Sequence, residues 1–205
     1  MKSSRTVKKN GTTRGSLVSA CFFLVVLLFV AVAGWYDINT IAPDRRLEEL
    51  EPIILATAEK HGIPPSLAMA IIWKESRFRV SRVGKAGEIG LMQIMPGAVD
   101  EWVRGTKQAQ RPSRKELFQP EVNLEIGLWY LAWCGRHWNS YSAGDILQIA
   151  EYNAGYSRAI QWKPKNPQDP LPLEQITISS TRDYVRQVLE KRKHYDLRKP
   201  KNSVN

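Results

Sequence analysis

The sequence predicts one mostly helical domain behind a separate apolar N-terminal helix. Three observations carry this reading. No charged residue stands between Arg14 and Asp37. Beyond Asp44, apolar residues recur at steps of three and four in one segment after another, the period of a helix with one buried face. A glycine-rich stretch, residues 79–95, interrupts that pattern and reads as loop or short strand. A chain of 205 residues accommodates one such domain and an extra segment.

Residues 17–36 are almost wholly apolar, long enough as a helix at ~1.5 Å per residue to cross a hydrocarbon layer of ~30 Å. Lys2, Arg5, Lys8, Lys9 and Arg14 precede them with no acid among them, so residues 1–16 are expected to stay in the cytoplasm and the remainder to be exported. Trp35 and Tyr36 suit the membrane interface. Ala31-Val32-Ala33 has the small-x-small form of a signal-peptidase site, so a cleaved signal segment is the other reading. Val18-Ser19-Ala20-Cys21 resembles a lipoprotein box only loosely, because the apolar stretch follows Cys21 instead of preceding it. Every variant exports the same domain.

Residues 37–46 read as a linker and 47–195 as the folded domain. Leu47, Leu50, Ile54 and Ala58 mark the first helix, stopped by Gly62. Pro65 suits the first turn of a buried helix over 66–78. Pro96 opens a helix to about Val103, and residues 105–115 are a polar loop. Pro120 opens another helix to about Trp138, on Val122, Leu124, Ile126, Leu128, Leu131 and Ala132. Asp145 to Ala154 is helical and ends at Gly155. Four prolines keep 164–172 irregular. A last amphipathic helix covers Thr181 to about Tyr195, and 196–205 form a basic tail.

The net charge is +10, of which the N-terminal basic residues contribute to topology. Much of the rest lies in Arg186, Lys191, Arg192, Lys193, Arg198, Lys199 and Lys201, a solvated helix face and tail, or a surface attracted to anionic lipid or wall polymer. An exported chain has no call to bind nucleic acid. Cys21 lies in the apolar run and Cys134 in a helix, so no disulfide framework is expected. His61, His137 and His194 are scattered without zinc-ligand spacing, and no metal or cofactor is expected.

Three clusters can carry chemistry. Glu75 falls among Leu67, Ala68, Ile71, Ile72 and Phe78 on its helix, so its carboxyl group points toward the apolar side. Burial raises a carboxyl pKa, and an acid protonated near neutral pH can donate to a leaving oxygen. The alternative is a helix-end glutamate paired with Arg79, four residues on. Gly87-Glu88-Ile89-Gly90-Leu91-Met92-Gln93-Ile94-Met95-Pro96 surrounds one amide with apolar residues, and Gln93 offers a donor and an acceptor to a sugar or to backbone. In Ala150-Glu151-Tyr152-Asn153-Ala154-Gly155, a phenol stands at a helix end, either tuning a nearby acid or filling core.

Glu75-Ser76, Gly90 to Pro96, Tyr152 to Gly155 and Thr181-Arg182-Asp183-Tyr184-Val185 occur in that order. Together they resemble the lytic transglycosylase catalytic domain of the soluble-lytic-transglycosylase type, related in fold to goose-type lysozyme, over roughly residues 50–190. The resemblance implies a lysozyme-like α+β fold, mostly α, as a single domain with a groove for a peptidoglycan glycan strand. It implies cleavage of the β-1,4 bond between N-acetylmuramic acid and N-acetylglucosamine, leaving 1,6-anhydro ends. Glu75 would be the lone catalytic acid and base. Ser76 and Gln93 would line the sugar site and Met92 its apolar floor. Tyr152 would lie beside Glu75, Asn153 would shape the groove wall, and Tyr184 would support the site from the last helix. The expected location is the inner membrane, single-pass, with the domain in the periplasm or, after cleavage, free there. Envelope or secretion-complex proteins are further expected partners.

This chain departs from the family's usual residues at Gly84, Glu88 and Ser180, where serine, alanine and glutamate are common. Glu88 matters most. A second carboxylate in the groove could position water and make the enzyme a muramidase, or it could serve a structural hydrogen bond. An inactive glycan-binding envelope component is the reading from another class.

Overall fold

The computed structural model describes residues 13–37, 41–108 and 110–198. The expected basic segment and basic tail lie largely outside these residues, as does the middle of the expected linker. The chain divides into two compact units after Asp44.

The first unit contains helix α1, Thr13–Tyr36. Side chains 21–35 are apolar and exposed. Among the described residues no helix is long and apolar enough to cross a membrane.

The second unit is helical. Its elements are α2 (Ala42–Lys60) from Arg45 onward, α3 (Pro65–Ser76), α4 (Pro96–Thr106), α5 (Pro120–Arg136), α6 (Gly144–Ala154), α7 (Tyr156–Ala159) and α8 (Ser179–Asp196). Short 3₁₀ turns occupy Glu116–Phe118 and Leu173–Gln175. Helix α2 begins inside the segment read as linker. Helix α3 is the centre: Leu67 to Ile72 are all buried. It packs on α8, α8 packs on α6, and α6 packs on α5. The buried residues on these faces, among them Leu47, Ile54, Leu124, Leu128, Leu147, Val185 and Val188, are one connected core. Prolines open α3, α4 and α5, where a missing N–H costs nothing.

Two sequence expectations are corrected. Helix α3 stops at Ser76, two residues early, because Arg77 (φ 55°) and Phe78 (φ 59°) are left-handed. That turn lets the Phe78 ring drop into the core, where it is 1% exposed. Among the described residues, the β part of the fold comes down to two isolated antiparallel bridges, Val83 with Ile89 and Ile89 with Ile94. Left-handed residues at Gly87, Gly90 and Gln93 turn the chain before any pairing extends. The short α7, immediately past Gly155, was not legible from periodicity.

Candidate active site

Two segments converge on the end of α3. The first is the loop after it. Ile89 and Ile94 exchange backbone hydrogen bonds at 3.2 and 2.9 Å, and Gly90 N–H donates to Arg82 C=O at 2.8 Å. Gly90 has φ 78°, and a Cβ there would collide with the amide of Asn123. Asn123, buried on α5, clamps the loop. Its Nδ2 donates to Ile89 C=O (2.9 Å) and Leu117 C=O (2.8 Å), and its Oδ1 accepts from Met92 N–H (2.8 Å). The second segment is the end of α6, whose Tyr152 hydroxyl donates to Met92 C=O at 2.9 Å.

Between them lies a cavity of about 300 Å³. Glu75, Glu88, Gln93, Tyr130, Tyr152 and Asn153 border it, with the start of α4 closing one side. Glu75 is on the last turn of α3 and accepts a 2.6 Å hydrogen bond on Oε1 from the Tyr184 hydroxyl of α8. Burial pushes its carboxyl up to about 7. The Tyr184 bond and the charges of Lys74 and Arg82 oppose that rise, and Glu88 adds to it. Both phenols are held well above their usual values, chiefly by burial and then by the Glu75 charge. They therefore stay protonated as donors. Lys74, lowered by burial, donates to Gln187 at 2.9 Å and lies 5.6 Å from the Tyr184 ring centre.

The residues singled out in the sequence divide into two groups. Glu75, Glu88, Gln93, Tyr152 and Asn153 border one cavity, and Tyr184 reaches it through Glu75. Ser76 and Met92 do not. The Ser76 hydroxyl is fully buried and donates to Ile72 C=O at 3.2 Å. The Met92 side chain is fully buried against Gly127 of α5, and only its backbone serves the site. Each neighbours a cavity residue in sequence and points the opposite way. Arg79 does not pair with Glu75; its Nε donates to Ser76 C=O at 3.1 Å.

The Gln93 amide is engaged within the loop. Its Nε2 donates to Gly90 C=O (2.9 Å) and Arg82 C=O (3.2 Å), and its Oε1 accepts from Arg82 Nε (3.4 Å). Glu88 accepts from Ala86 N–H at 2.9 Å. Its carboxylate occupies the space a Cβ on residue 84 would need, so Gly84 and Glu88 fit as a pair. Asn123, Tyr130 and Arg82 were missed. An amide inside the apolar stripe Val122-Asn123-Leu124 is the signal that could have revealed the first.

A larger cavity of about 600 Å³ is bordered by His61, Arg136, Trp138 and Asp145. Its one carboxylate, Asp145, is paired with Arg192 at 2.6 Å. With its one acid held in an ion pair, it is a poorer candidate than the smaller cavity, which holds the buried Glu75.

The soluble lytic murein transglycosylase of Escherichia coli (strain K12) is 35% identical over 130 residues, covering 62% of this chain and 20% of that protein. The membrane-bound lytic murein transglycosylase C of Pectobacterium atrosepticum is 35% identical over 120 residues, 55% of this chain and 33% of that protein. Among solved structures, the 70 kDa soluble lytic transglycosylase of Escherichia coli superposes with a TM-score of 0.63 at 32% identity, over 71% of this chain and 24% of that one. A complex of the 70 kDa soluble lytic transglycosylase with bulgecin A gives 0.64 at 32% identity, over 71% of this chain and 24% of that one. The chain thus spans about a fifth of the length of the first relative and about a quarter of the solved ones. A model of the transglycosylase SLT domain matches residues 52–170, and the chain belongs to that family.

Proposed function

We propose that this chain is a membrane-anchored lytic transglycosylase that cleaves the β-1,4 bond between N-acetylmuramic acid and N-acetylglucosamine in peptidoglycan. The observation that carries this is one carboxylic acid, Glu75, with a pKa of about 7, braced by Tyr184 at the edge of a cavity. The relatives named above are murein transglycosylases, which supports the choice of substrate.

The reaction needs a single group to act twice. Protonated Glu75 delivers its proton to the leaving glycosidic oxygen as the C1–O bond breaks. The positive charge developing at C1 is taken up by the sugar's own N-acetyl oxygen. Glu75, now a carboxylate, accepts the proton of the muramic 6-hydroxyl, whose oxygen closes onto C1. The product is a 1,6-anhydro end; no water is consumed, and Glu75 is protonated again. A pKa near ambient pH suits both halves, because neither proton transfer is then steeply uphill. Tyr184 aims the carboxyl group, Gln93 and Asn153 border the path of the strand, and Glu88 adds negative charge that keeps Glu75 protonated.

Export follows from α1 and the basic residues before it. The apolar run 17–36 anchors the chain in the inner membrane with the catalytic domain outside.

The test is Glu75→Gln, which keeps shape and the hydrogen bond from Tyr184 but has no transferable proton. On purified sacculi it should release fragments at least roughly a hundredfold more slowly than wild type, with an unchanged circular-dichroism spectrum. Undiminished release would remove Glu75 from the mechanism.

A further inference from the structure

Glu151 stands next to Tyr152 in sequence and takes no part in the proton transfers described above. Among the described residues it is the only Asp, Glu, Lys or Arg that is buried outright, at 0% exposure. Its Oε2 accepts from Trp138 Nε1 at 2.7 Å, and its two oxygens lie 2.9 and 3.1 Å from His137 Nδ1. The carboxyl group of α6 is thus gripped by two residues just past the end of α5. Burial raises its pKa, and His137 and Trp138 oppose the rise. A carboxyl group in a core costs free energy unless it is bonded in this way, and an apolar pair of the same shape holds two helices together as well or better. What the bonded pair adds is direction: it fixes the plane of the imidazole.

That plane is passed on. The His137 ring meets Trp133 edge-on at 4.5 Å, and Trp133 stacks on Tyr130 at 5.7 Å with 18° between their planes. Tyr130 packs on Tyr152 at 5.8 Å, and both border the Glu75 cavity. Four rings therefore form a circuit that begins and ends on adjacent residues: Glu151 holds His137, and Tyr152 meets Tyr130. The Cys134 thiol, also buried, interacts with both Tyr130 and Glu151. Tyr156 of α7 packs on His137 at 4.9 Å.

We propose that Glu151 and His137 are positioning residues of the transglycosylase reaction, setting the Tyr130 and Tyr152 wall of the Glu75 cavity without touching the substrate. This rests on the function proposed above. Packed rings transmit a displacement because no gap between them absorbs it. Tyr152 also holds the opposite side of the site, through its bond to Met92 C=O, so a shift of α6 is felt on both sides of the cavity. The glycosidic oxygen must lie within hydrogen-bond reach of Glu75 when the proton moves, and a misplacement of ~1 Å costs about a hundredfold in rate. The groups that shift Glu75 are Tyr184, Lys74, Arg82 and Glu88; the Glu151 pair acts on the site by placement, not by charge.

The experiment measures kcat, KM and the urea midpoint of the purified full-length chain in detergent, on soluble peptidoglycan strands. His137→Asn is the key variant. Its amide can donate to Glu151 from the place of Nδ1, so the buried carboxylate keeps its partner, but no ring remains against Trp133. It should lower kcat by about tenfold or more, a part of what a full misplacement costs, with KM within about twofold of wild type and an unchanged urea midpoint. Glu151→Ala should lose both kcat and stability. Glu151→Gln should recover most of the kcat, because its amide can donate to Nδ1 of the other histidine tautomer and still accept from Trp138. An undiminished kcat in His137→Asn would overturn the proposal. So would a loss carried by KM alone, which marks the imidazole as a sugar contact. A loss in Glu151→Gln as large as in Glu151→Ala would also overturn it, because charge and not placement would then be at work. Failure of wild type to cleave the strands is a different outcome and overturns the proposed function instead.

Discussion

Glu75 is perturbed by neighbours that push in opposite directions, so its proton can be moved both ways by single substitutions. Burial raises its pKa to about 7, the bond from Tyr184 lowers it, and the charge on Glu88 raises it. The first step needs the protonated acid, so kcat/KM should be high below pH 7 and fall as pH rises through about 7. Tyr184→Phe removes a bond that favours the carboxylate, so the alkaline limb should move to higher pH, with a lower kcat because the acid is no longer aimed. Glu88→Gln removes a repelling charge, so the limb should move to lower pH. Measured pH–rate profiles that shift in one direction for both variants would contradict this account of the site. Strong residual activity in Glu88→Gln would also set aside the muramidase reading, in which that carboxylate holds the attacking water. The structure leaves little freedom for that role, since the carboxylate accepts from Ala86 N–H and lies across Gly84.

At the scale of elements, the site is a loop held against helices by one buried amide. Asn123→Ala would leave Met92 N–H and the Leu117 carbonyl without the amide that pairs them inside the protein, and would take from the Ile89 carbonyl one of its two donors. The expected cost is about 2–4 kcal/mol, read as a lowered urea midpoint at unchanged m-value, with activity reduced because Gln93 and the acceptor of Tyr152 belong to the same loop. The helices were largely legible beforehand, since apolar spacing and the prolines at positions 65, 96 and 120 mark their faces and starts. What remained hidden depends on direction within a turn. Ser76 and Met92 were expected to line the sugar site and its floor because the family resemblance carries those roles to them, yet they sit one residue from cavity-bordering Glu75 and Gln93, and a step of one residue on a helix rotates a side chain by ~100°. In the loop, the left-handed φ of Gln93 sends its side chain and that of Met92 to different surroundings. Asn123 escaped notice because a polar residue in an apolar stripe declares its partners only when the fold brings a distant loop against it. Local pattern singled out Glu75, Gln93 and Tyr152, which border one cavity, and the family's motif order singled out Tyr184, which bonds to Glu75; neither carried information on the pairing of Arg82 with Gln93.

At the scale of the whole molecule, the chain joins an apolar helix to a helical unit that has a core of its own. The second unit's core is made entirely of residues from Leu47 onward, so removal of residues 1–36 should leave it folded. The truncated chain should move from the membrane fraction to the soluble fraction and retain its specific activity on isolated sacculi. Full-length chain found free after cell lysis, with its N-terminal residues still attached, would count against the anchor. The central claim is the identity of the bond formed at C1, and it is tested most directly by digesting purified sacculi in heavy-oxygen water and weighing the products. Ring closure by the muramic 6-hydroxyl predicts muropeptides lighter than hydrolysis products by one water and free of heavy oxygen. Reducing ends that carry the heavy isotope would contradict it.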